Sequence, residues 1–259
     1  MNHWTEVSIQ YANQRNYLDD LFTVYPCIPE GVRDIDGEKW QIVEKAFQSK
    51  DNVTLLTSLL SLELFPIKDS YVAYLRRDPK AIERNPQTVN RLCGRLYEIG
   101  LHTIYEKCSE PKETNRQIGP LFHRWLGKKP LGVNLLETNK FLETDDNAIL
   151  SGSDRELADF ARQNLGYQGE KGLDFVARFN GHYVIGEAKF LTDFGGHQNA
   201  QFEDAKNLLR DTTSPAVKVA ILDGVLYIPG GGKMYKFLSE NNDYNIMSSL
   251  VLREFLYQL

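Results

Sequence analysis

The dipeptide Asn180-Gly181, which lies between two stretches of apolar-rich sequence, constrains the fold more than any other feature of this chain. Residues 173–179 read Leu-Asp-Phe-Val-Ala-Arg-Phe, and residues 182–190 read His-Tyr-Val-Ile-Gly-Glu-Ala-Lys-Phe. Asn-Gly is favoured in two-residue hairpin loops because both of its residues tolerate positive φ. The sequence therefore predicts an antiparallel hairpin in which Phe179 pairs with His182, so that paired residue numbers sum to 361.

This register places charged side chains together on one face of the hairpin. Asp174 lies opposite Glu187, with Cβ atoms roughly 5 Å apart, and Lys189 shares their face because side chains alternate along a strand. Opposed carboxylates destabilise a sheet unless a cation compensates them, and a divalent metal such as Mg²⁺ prefers this kind of ligand set. The alternative is a solvent-facing hairpin with a surface ion-pair cluster. Apolar residues on both faces favour an interior hairpin instead.

The remaining sequence predicts an α/β (α+β) fold with a helical N-terminal half. Apolar residues recur at helical spacing over residues 38–64 and 88–105. After about residue 170 the pattern predicts the hairpin, a helix over 199–209, a second hairpin over 217–228 around Asp223-Gly224, and a last helix over 246–257. We expect a mainly helical region over residues 1–135 and a core over 136–259. One compact domain is the alternative.

Composition narrows the possible classes of protein. The 259 residues are 42% hydrophobic and 25% charged, as in globular chains, and the polar N-terminus is unlike a signal peptide. We therefore expect a cytoplasmic protein without a membrane segment. Three cysteines without CxxC spacing predict no disulfide framework or zinc site.

Charge is unevenly distributed along the chain. Residues 68–133 contain 13 Lys and Arg against 7 acids, a net charge of +6, whereas the whole chain carries −5. A basic segment in an acidic protein suits contact with a polyanion, although solvated helix faces give the same pattern.

The residues Gly-Leu-Asp174-Phe…Ile-Gly-Glu187-Ala-Lys189-Phe resemble the PD-(D/E)XK signature of type II restriction endonucleases. The resemblance covers about residues 170–228, and Leu173 replaces the usual proline. It implies a restriction-endonuclease-like core with a mixed central sheet flanked by helices. It also implies that Asp174, Glu187 and the backbone carbonyl of Ala188 bind Mg²⁺, and that Lys189 orients or activates the attacking water. Burial and the charge of a metal would lower the pKa of Lys189.

Further candidate residues surround this motif. In the family that this motif resembles, a helix before the first motif strand often supplies another metal-binding carboxylate. Glu156 is the candidate here, and Glu143 is the alternative candidate. Ser153-x-x-Glu156 is also a capping box, which would give Glu156 a purely local role. The segment after Lys189 carries paired glycines and amide side chains suited to reading adenine edges; a polar helix entry is the alternative. Its candidate DNA-binding residues are Thr192, Asp193, Gly195, Gly196, His197, Gln198, Asn199 and Gln201. In the basic segment, Arg91, Arg95 and Arg116 are candidates for phosphate contacts.

The sequence thus indicates a Mg²⁺-dependent, sequence-specific endonuclease acting on double-stranded DNA. The helical region over residues 1–135 is expected to position DNA or to form a dimer, and residues 136–259 are expected to form the nuclease core. A homodimer is expected because two-fold proteins match palindromic sites, and the resemblance implies a cognate DNA methyltransferase as a partner. Two alternatives stay open: an exonuclease of recombination or repair with the same core, and a non-catalytic DNA-binding protein in which Asp174, Glu187 and Lys189 form a structural ion cluster.

Overall fold

The computed structural model of the chain describes residues 1–14, 16–26, 33–111, 118–230 and 232–259. The chain divides into two compact units, Met1–Cys27 with Thr114–Leu259, and Ile28–Glu113. The first unit is mixed α/β and the second is helical. Their bounds differ from a division at residue 135, and the roles assigned to the two predicted segments stay predictions.

The helices and strands alternate mainly in the C-terminal half. In chain order the helices are α1 (His3–Ala12), α2 (Tyr17–Val24), α3 (Gly37–Ser49), α4 (Asn52–Leu60), α5 (Ser70–Arg77), α6 (Ala81–Arg84), α7 (Pro86–Cys108), α8 (Ile118–Gly127), α9 (Thr138–Glu143), α10 (Asp154–Leu165), α11 (Gly196–Leu209), α12 (Gly232–Glu240) and α13 (Leu252–Tyr257). The strands are β1 (Asn134–Leu136), β2 (Ala148–Leu150), β3 (Phe175–Phe179), β4 (His182–Leu191), β5 (Val217–Gly224) and β6 (Ile246–Met247).

The helical unit contains α3 to α7 around its own apolar core. The helical pattern over residues 38–64 is confirmed as two helices, because Lys50 adopts a left-handed φ of 56° and ends α3. The Asp51 side chain then accepts from the backbone N–H of Thr54 and begins α4. Helix α7 confirms the pattern over 88–105, with a break at Gly100, whose φ is 79°.

The six strands of the mixed unit form one sheet in the order β1 to β6. The pairs β2·β3 and β3·β4 are antiparallel, whereas β1·β2, β4·β5 and β5·β6 are parallel. Phe179 pairs with His182 and Phe175 with Gly186, which confirms the predicted hairpin register. The mixed sheet with its flanking helices confirms the predicted α/β (α+β) class.

Two predicted elements near the C-terminus are wrong. Residues 217–228 form no hairpin, because β5 continues through Asp223 and Gly224, which pair with Phe190 and Leu191 of β4, and a short 3₁₀ turn follows. The helix predicted over 246–257 begins only at Leu252, because residues 246–247 pair with β5 instead. In both places pairing with a distant strand overrides the local pattern.

A buried carboxylate ties the N-terminal helices to the end of β5. Asp223 is fully buried and accepts from the hydroxyls of Tyr25 at 3.0 Å and Ser248 at 2.5 Å, and from the backbone N–H of Ser249 at 3.3 Å. Burial raises the pKa of Asp223 above its ordinary value despite these hydrogen bonds. Segments far apart in the sequence therefore meet at this one side chain.

No helix in the described ranges is long and apolar enough to cross a membrane. Cys93 and Cys108 are free and buried, and burial raises the pKa of their thiols to about 11 and about 12, respectively. Both thiols are therefore protonated near neutral pH and weakly reactive. Cys27 lies outside the described residues.

Candidate active site

Asp174 lies one residue before β3, where the hairpin ladder ends. Its backbone N–H donates to the carbonyl of Gly186 at 3.1 Å, and its carboxylate Oδ2 accepts from the backbone N–H of Ala188 at 2.8 Å. The Asp174 carboxylate thus accepts the hydrogen bond from Ala188 that a backbone carbonyl would accept in a continuous hairpin. Asp174 is buried as a result, with a side chain that is only 8% exposed.

The three charged groups of the predicted motif meet at the ammonium of Lys189. Its Nζ lies 2.7 Å from Asp174 Oδ2 and 2.7 Å from Glu187 Oε1. The Glu187 and Lys189 side chains are 12% and 19% exposed, and every residue of β3 is buried. These exposures exclude a solvent-facing hairpin, so the cluster lies in the interior of the mixed unit.

Burial and neighbouring charges shift the pKa values of Glu187 and Lys189. Burial, with the charge of Asp174, raises the pKa of Glu187 to about 7 against the opposing effect of Lys189. Burial alone would lower the pKa of Lys189, but the charges and hydrogen bonds of the two carboxylates outweigh burial and raise it above the ordinary lysine value. In the absence of a metal, Lys189 therefore stays an ammonium, and the lowering of its pKa by burial together with the charge of a metal stays a prediction.

The Glu187 side of the cluster opens into a cleft of about 410 Å³. Asp204 of α11 lines this cleft and is ion-paired with Lys171. Its negative charge contributes to the raised pKa of Glu187. The cleft gives solvent and ligands a path to the Glu187 carboxylate.

His123 and Asp154 are two residues near Asp174 that the sequence analysis did not single out as site residues. His123 lies on α8 and Asp154 is the first residue of α10; one ligand atom from each lies within 4.8 Å of a carboxylate oxygen of Asp174. In the described part of the chain, His123, Asp154 and Asp174 are the group of at least three His, Cys, Asp or Glu side chains that could together hold one metal ion. No spacing motif connects these three positions, so local sequence carried no signal for them.

Glu156 has a local structural partner. Its Oε2 accepts from the backbone N–H and the hydroxyl of Ser153, both at 2.7 Å, and the reciprocal bond completes the capping box of α10. These bonds lower the pKa of Glu156. The structure brings Asp154, rather than Glu156, beside Asp174, and its rival Glu143 is exposed at the end of α9. A role for Glu156 as a metal ligand stays a prediction.

The segment after Lys189 contains both exposed and buried candidates for DNA contact. Gln198 is 5% exposed, and its amide is bonded to Thr192, accepting from the backbone N–H at 3.3 Å and donating to the hydroxyl at 3.4 Å. Asn199 donates to the carbonyl of Phe194 at 3.1 Å. Gln201 is half-buried, whereas the remaining candidates are exposed: Thr192, Asp193, Gly195, Gly196, His197 and Asn199. Helix α11 begins at Gly196, three residues before the predicted start.

The basic candidates belong to different parts of the chain. In the helical unit, Arg91 pairs with Asp69 at 2.6 Å, and Arg95 pairs with Glu98 at 2.7 Å. Both arginines are exposed, so these pairs contribute little stability. Arg116 lies outside the described residues.

A buried Asp/Glu/Lys cluster at the end of a hairpin, in a mixed sheet flanked by helices, agrees with the class that the motif resembles. The model of one protein family matches residues 2–259, and by this match the chain is a type II restriction enzyme, a site-specific deoxyribonuclease acting on double-stranded DNA. It belongs to the Tsp45I type II restriction enzyme family. No curated protein and no solved structure matches the chain. Of the three functions left open by the sequence, family membership confirms the restriction endonuclease.

Proposed function

We propose that Asp174, Glu187 and Lys189 form the hydrolytic centre of this restriction enzyme and that it works with Mg²⁺. The observation that carries this proposal is the convergence of two buried carboxylates on one ammonium, with 2.7 Å contacts on both sides. A purely structural ion pair needs one carboxylate per lysine. The second carboxylate leaves an excess negative charge that a divalent cation can compensate.

The donor set suits a hard cation. Asp174 and Glu187 supply carboxylate oxygens, and the backbone of Ala188 supplies a third donor. The N–H and C=O of one residue point to the same side of a strand, and the Ala188 N–H is directed at Asp174. Its carbonyl therefore faces the same side as Asp174. When bound there, Mg²⁺ would neutralise phosphate charge and lower the pKa of a water ligand.

Lys189 contributes positive charge to this centre. Its ammonium donates hydrogen bonds to Asp174 and Glu187, whose charges raise its pKa in the metal-free protein. Its three N–H donors can hold a non-bridging phosphate oxygen or the attacking water while two of them stay with the carboxylates. Its role is thus to position the reacting groups and to offset charge in the transition state.

DNA contact is proposed for the segment that follows β4 and for basic residues of the segment 68–133. The exposed polar groups of this segment, including His197 and Asn199, follow Lys189 closely in the chain. We propose Arg91, Arg95 and Arg116 as phosphate contacts, since backbone contacts position a duplex without specifying its sequence. We also propose that the chain forms a homodimer and that it is cytoplasmic. We propose a cognate DNA methyltransferase as a partner, because a restriction enzyme of this class requires protection of host DNA.

The test is cleavage of phage DNA by the purified chain in Mg²⁺, in EDTA, and in Mg²⁺ with Asp174→Asn or Glu187→Gln. Discrete fragments with the unchanged chain in Mg²⁺, and loss of at least about 100-fold in rate in each variant, would support the centre. The matched control is Asp243→Asn, an exposed carboxylate in the same unit, which should cleave normally. Full cleavage by Asp174→Asn, or full cleavage in EDTA, would overturn the proposal.

A further inference from the structure

Two tyrosines of α5 project from the surface of the helical unit. Tyr71 and Tyr74 are each 61% exposed, whereas Val72 and Leu75 of the same helix are buried. The two tyrosines are three residues apart and therefore lie next to each other on one side of the helix. Tyrosine combines apolar area with a hydrogen-bonding hydroxyl and is enriched at interfaces, so two adjacent exposed rings indicate a contact surface.

A cleft of about 230 Å³ lies beside the two tyrosines. Its other walls come from Leu75 of α5 and from Asn85 and Thr88 at the start of α7. This volume is below the roughly 300–1,000 Å³ of typical small-molecule pockets. The cleft therefore suits the edge of a larger partner better than a free small molecule.

Asn85 presents unused hydrogen-bonding capacity at this cleft. Its Nδ2 donates to the carbonyl of Ala81 at 2.7 Å, which orients the side chain and occupies one of its two N–H groups. Within the described ranges, its Oδ1 and the other N–H make no hydrogen bond. A carbonyl oxygen and an N–H on one side chain form the pair of contacts that recognises the N6 and N7 atoms of adenine in the major groove.

Arg91 joins α5 to α7. Its guanidinium donates to both carboxylate oxygens of Asp69, at 2.6 and 3.4 Å, and lies 5.5 Å from the centre of the Tyr71 ring. Asp69 also accepts from the backbone N–H of Tyr71 at 2.9 Å and caps α5. These contacts hold the two helices in one arrangement before a partner binds, which lowers the entropic cost of binding.

The charge around the tyrosines indicates the chemistry of the partner. Residues 68–95 contain seven Lys and Arg against three acids, a net charge of +4 in a chain that carries −5. Arg77 follows Tyr74 by three residues on α5, and Lys80 comes next along the chain; both are exposed. A second copy seated on this face would bring like charges together, whereas the phosphates of the DNA substrate would neutralise them.

We propose that this face of the helical unit, named here the reading face, recognises sequence in duplex DNA. Tyr74 and Asn85 are its specificity-determining residues and contact base edges, and Arg77 and Lys80 contact the flanking phosphates. Its role rests on the DNA contact proposed for the segment 68–133 and is independent of the hydrolytic centre.

DNA binding by the full chain, measured by gel shift in Ca²⁺, tests the reading face. The ends of the fragments cut from phage DNA define the recognition site, and the two probes are a duplex with that site and a duplex with the same bases scrambled. We expect Tyr74→Ala and Asn85→Ala each to weaken binding to the site at least tenfold, while binding to the scrambled duplex changes less than twofold. Full affinity for the site in both variants would overturn the proposal.

The matched control is Gln87→Ala. Gln87 is an exposed amide on the same helix as Asn85 and lies outside the cleft. Its substitution should leave the affinity for both duplexes unchanged. A loss in Gln87→Ala equal to that in Asn85→Ala would contradict a specific role for Asn85.

Salt dependence separates phosphate contacts from base contacts. Arg77→Met should weaken binding to both duplexes and reduce the slope of log affinity against log salt by about 1, because one phosphate contact is lost. Asn85→Ala should leave this slope unchanged. Lys45→Met, at an exposed lysine of α3 in the same unit, is the control and should leave the slope unchanged as well. An unaltered slope in Arg77→Met would remove the phosphates from this face.

Two results would assign Tyr74 a different role and overturn the proposal. A lower Tm in Tyr74→Ala, with equal losses on both duplexes, would indicate a structural role only. Conversion of a dimer to a monomer in analytical ultracentrifugation, with full affinity for the site, would make the face an interface between copies.

The fate of the hydrolytic centre is measured separately. Glu187→Gln should lose cleavage if that centre is correct, and it should still bind the duplex that contains the site. Normal cleavage by Glu187→Gln would reject the hydrolytic centre and leave the reading face unaffected.

Discussion

The backbone N–H of Ala188 donates to the carboxylate of Asp174 at 2.8 Å, in a place where a continuous hairpin would supply a backbone carbonyl. The strand ladder ends at Phe175 and Gly186, and the side chain extends the hydrogen bonding beyond it. This relationship fixes the orientation of Asp174 relative to β4. It explains how a carboxylate that is 8% exposed can stay beside Lys189 and lie close to His123 and Asp154.

Removing the positive charge of Lys189 should destabilise the metal-free protein. Lys189→Met leaves two buried carboxylates without their shared counter-ion, which costs on the order of 3 kcal/mol. We expect a lower Tm at pH 8 in EDTA, with most of the loss recovered when Mg²⁺ is added. Lys236→Met is the control, since Lys236 and its partner Glu240 are both exposed. An equal Tm for Lys189→Met and the unchanged chain in EDTA would refute the expectation.

The stabilisation by Mg²⁺ should depend on pH through Glu187. In the metal-free fold its pKa is about 7, against an ordinary value of 4.5, so ionisation is disfavoured in the folded state. Its contribution to the free energy of unfolding is present below pH 4.5 and is lost as pH rises to 7, a loss on the order of 3 kcal/mol. A bound cation removes this penalty. The rise in Tm on adding Mg²⁺ should therefore be larger at pH 8 than at pH 5.5, and Glu187→Gln should reduce the difference.

The buried carboxylate of Asp223 should stabilise the fold strongly. Asp223→Asn replaces an acceptor oxygen with an NH₂ group that faces the donors of Tyr25, Ser248 and Ser249. Unpaired donors in a buried network cost about 1–3 kcal/mol each, so the free energy of unfolding should fall by several kcal/mol. Urea denaturation measures the change. The exposed Asp243→Asn should match the unchanged chain, and a similar midpoint for Asp223→Asn would contradict this account.

Gly224 should tolerate no side chain. Its φ is 102°, and a Cβ there would lie 2.0 Å from the carbonyl oxygen of Leu191 on β4. Gly224→Ala should lower the free energy of unfolding by more than about 1 kcal/mol. Gly94→Ala is the matched control, since no atom within 4 Å would meet its Cβ in α7 and alanine favours a helix by up to about 1 kcal/mol. Thermal unfolding should therefore move in opposite directions for the two variants.

Some residues of the segment after Lys189 should stabilise its conformation, and others should contact DNA. Gln198→Ala removes the bonds to Thr192 and should lower both the Tm and the cleavage rate. His197→Ala alters an exposed side chain and should weaken DNA binding without changing the Tm. Gel-shift titration in Ca²⁺ and thermal unfolding provide the two measurements. Undiminished DNA affinity in His197→Ala would remove this residue from the proposed interface.

Local sequence determined the part of the fold that rests on short-range geometry. Asn180-Gly181 specified a two-residue turn, and the strand period then placed Asp174, Glu187 and Lys189 on one face, as the structure has them. The capping box of Ser153 and Glu156 likewise predicted the start of α10. These features were predictable because each depends on residues close together in the chain or joined by one tight turn.

Only the tertiary structure decided the features that depend on distant pairing. Asp223-Gly224 carries a hairpin signal, yet β4 and the hydroxyls of Tyr25 and Ser248 hold it in a strand, because buried hydrogen bonds outweigh a local turn preference. His123 and Asp154 are brought to Asp174 by the packing of two helices against the sheet, which no spacing in the sequence encodes. The order of residues thus determined the hairpin and its charges, and long-range packing determined what surrounds them.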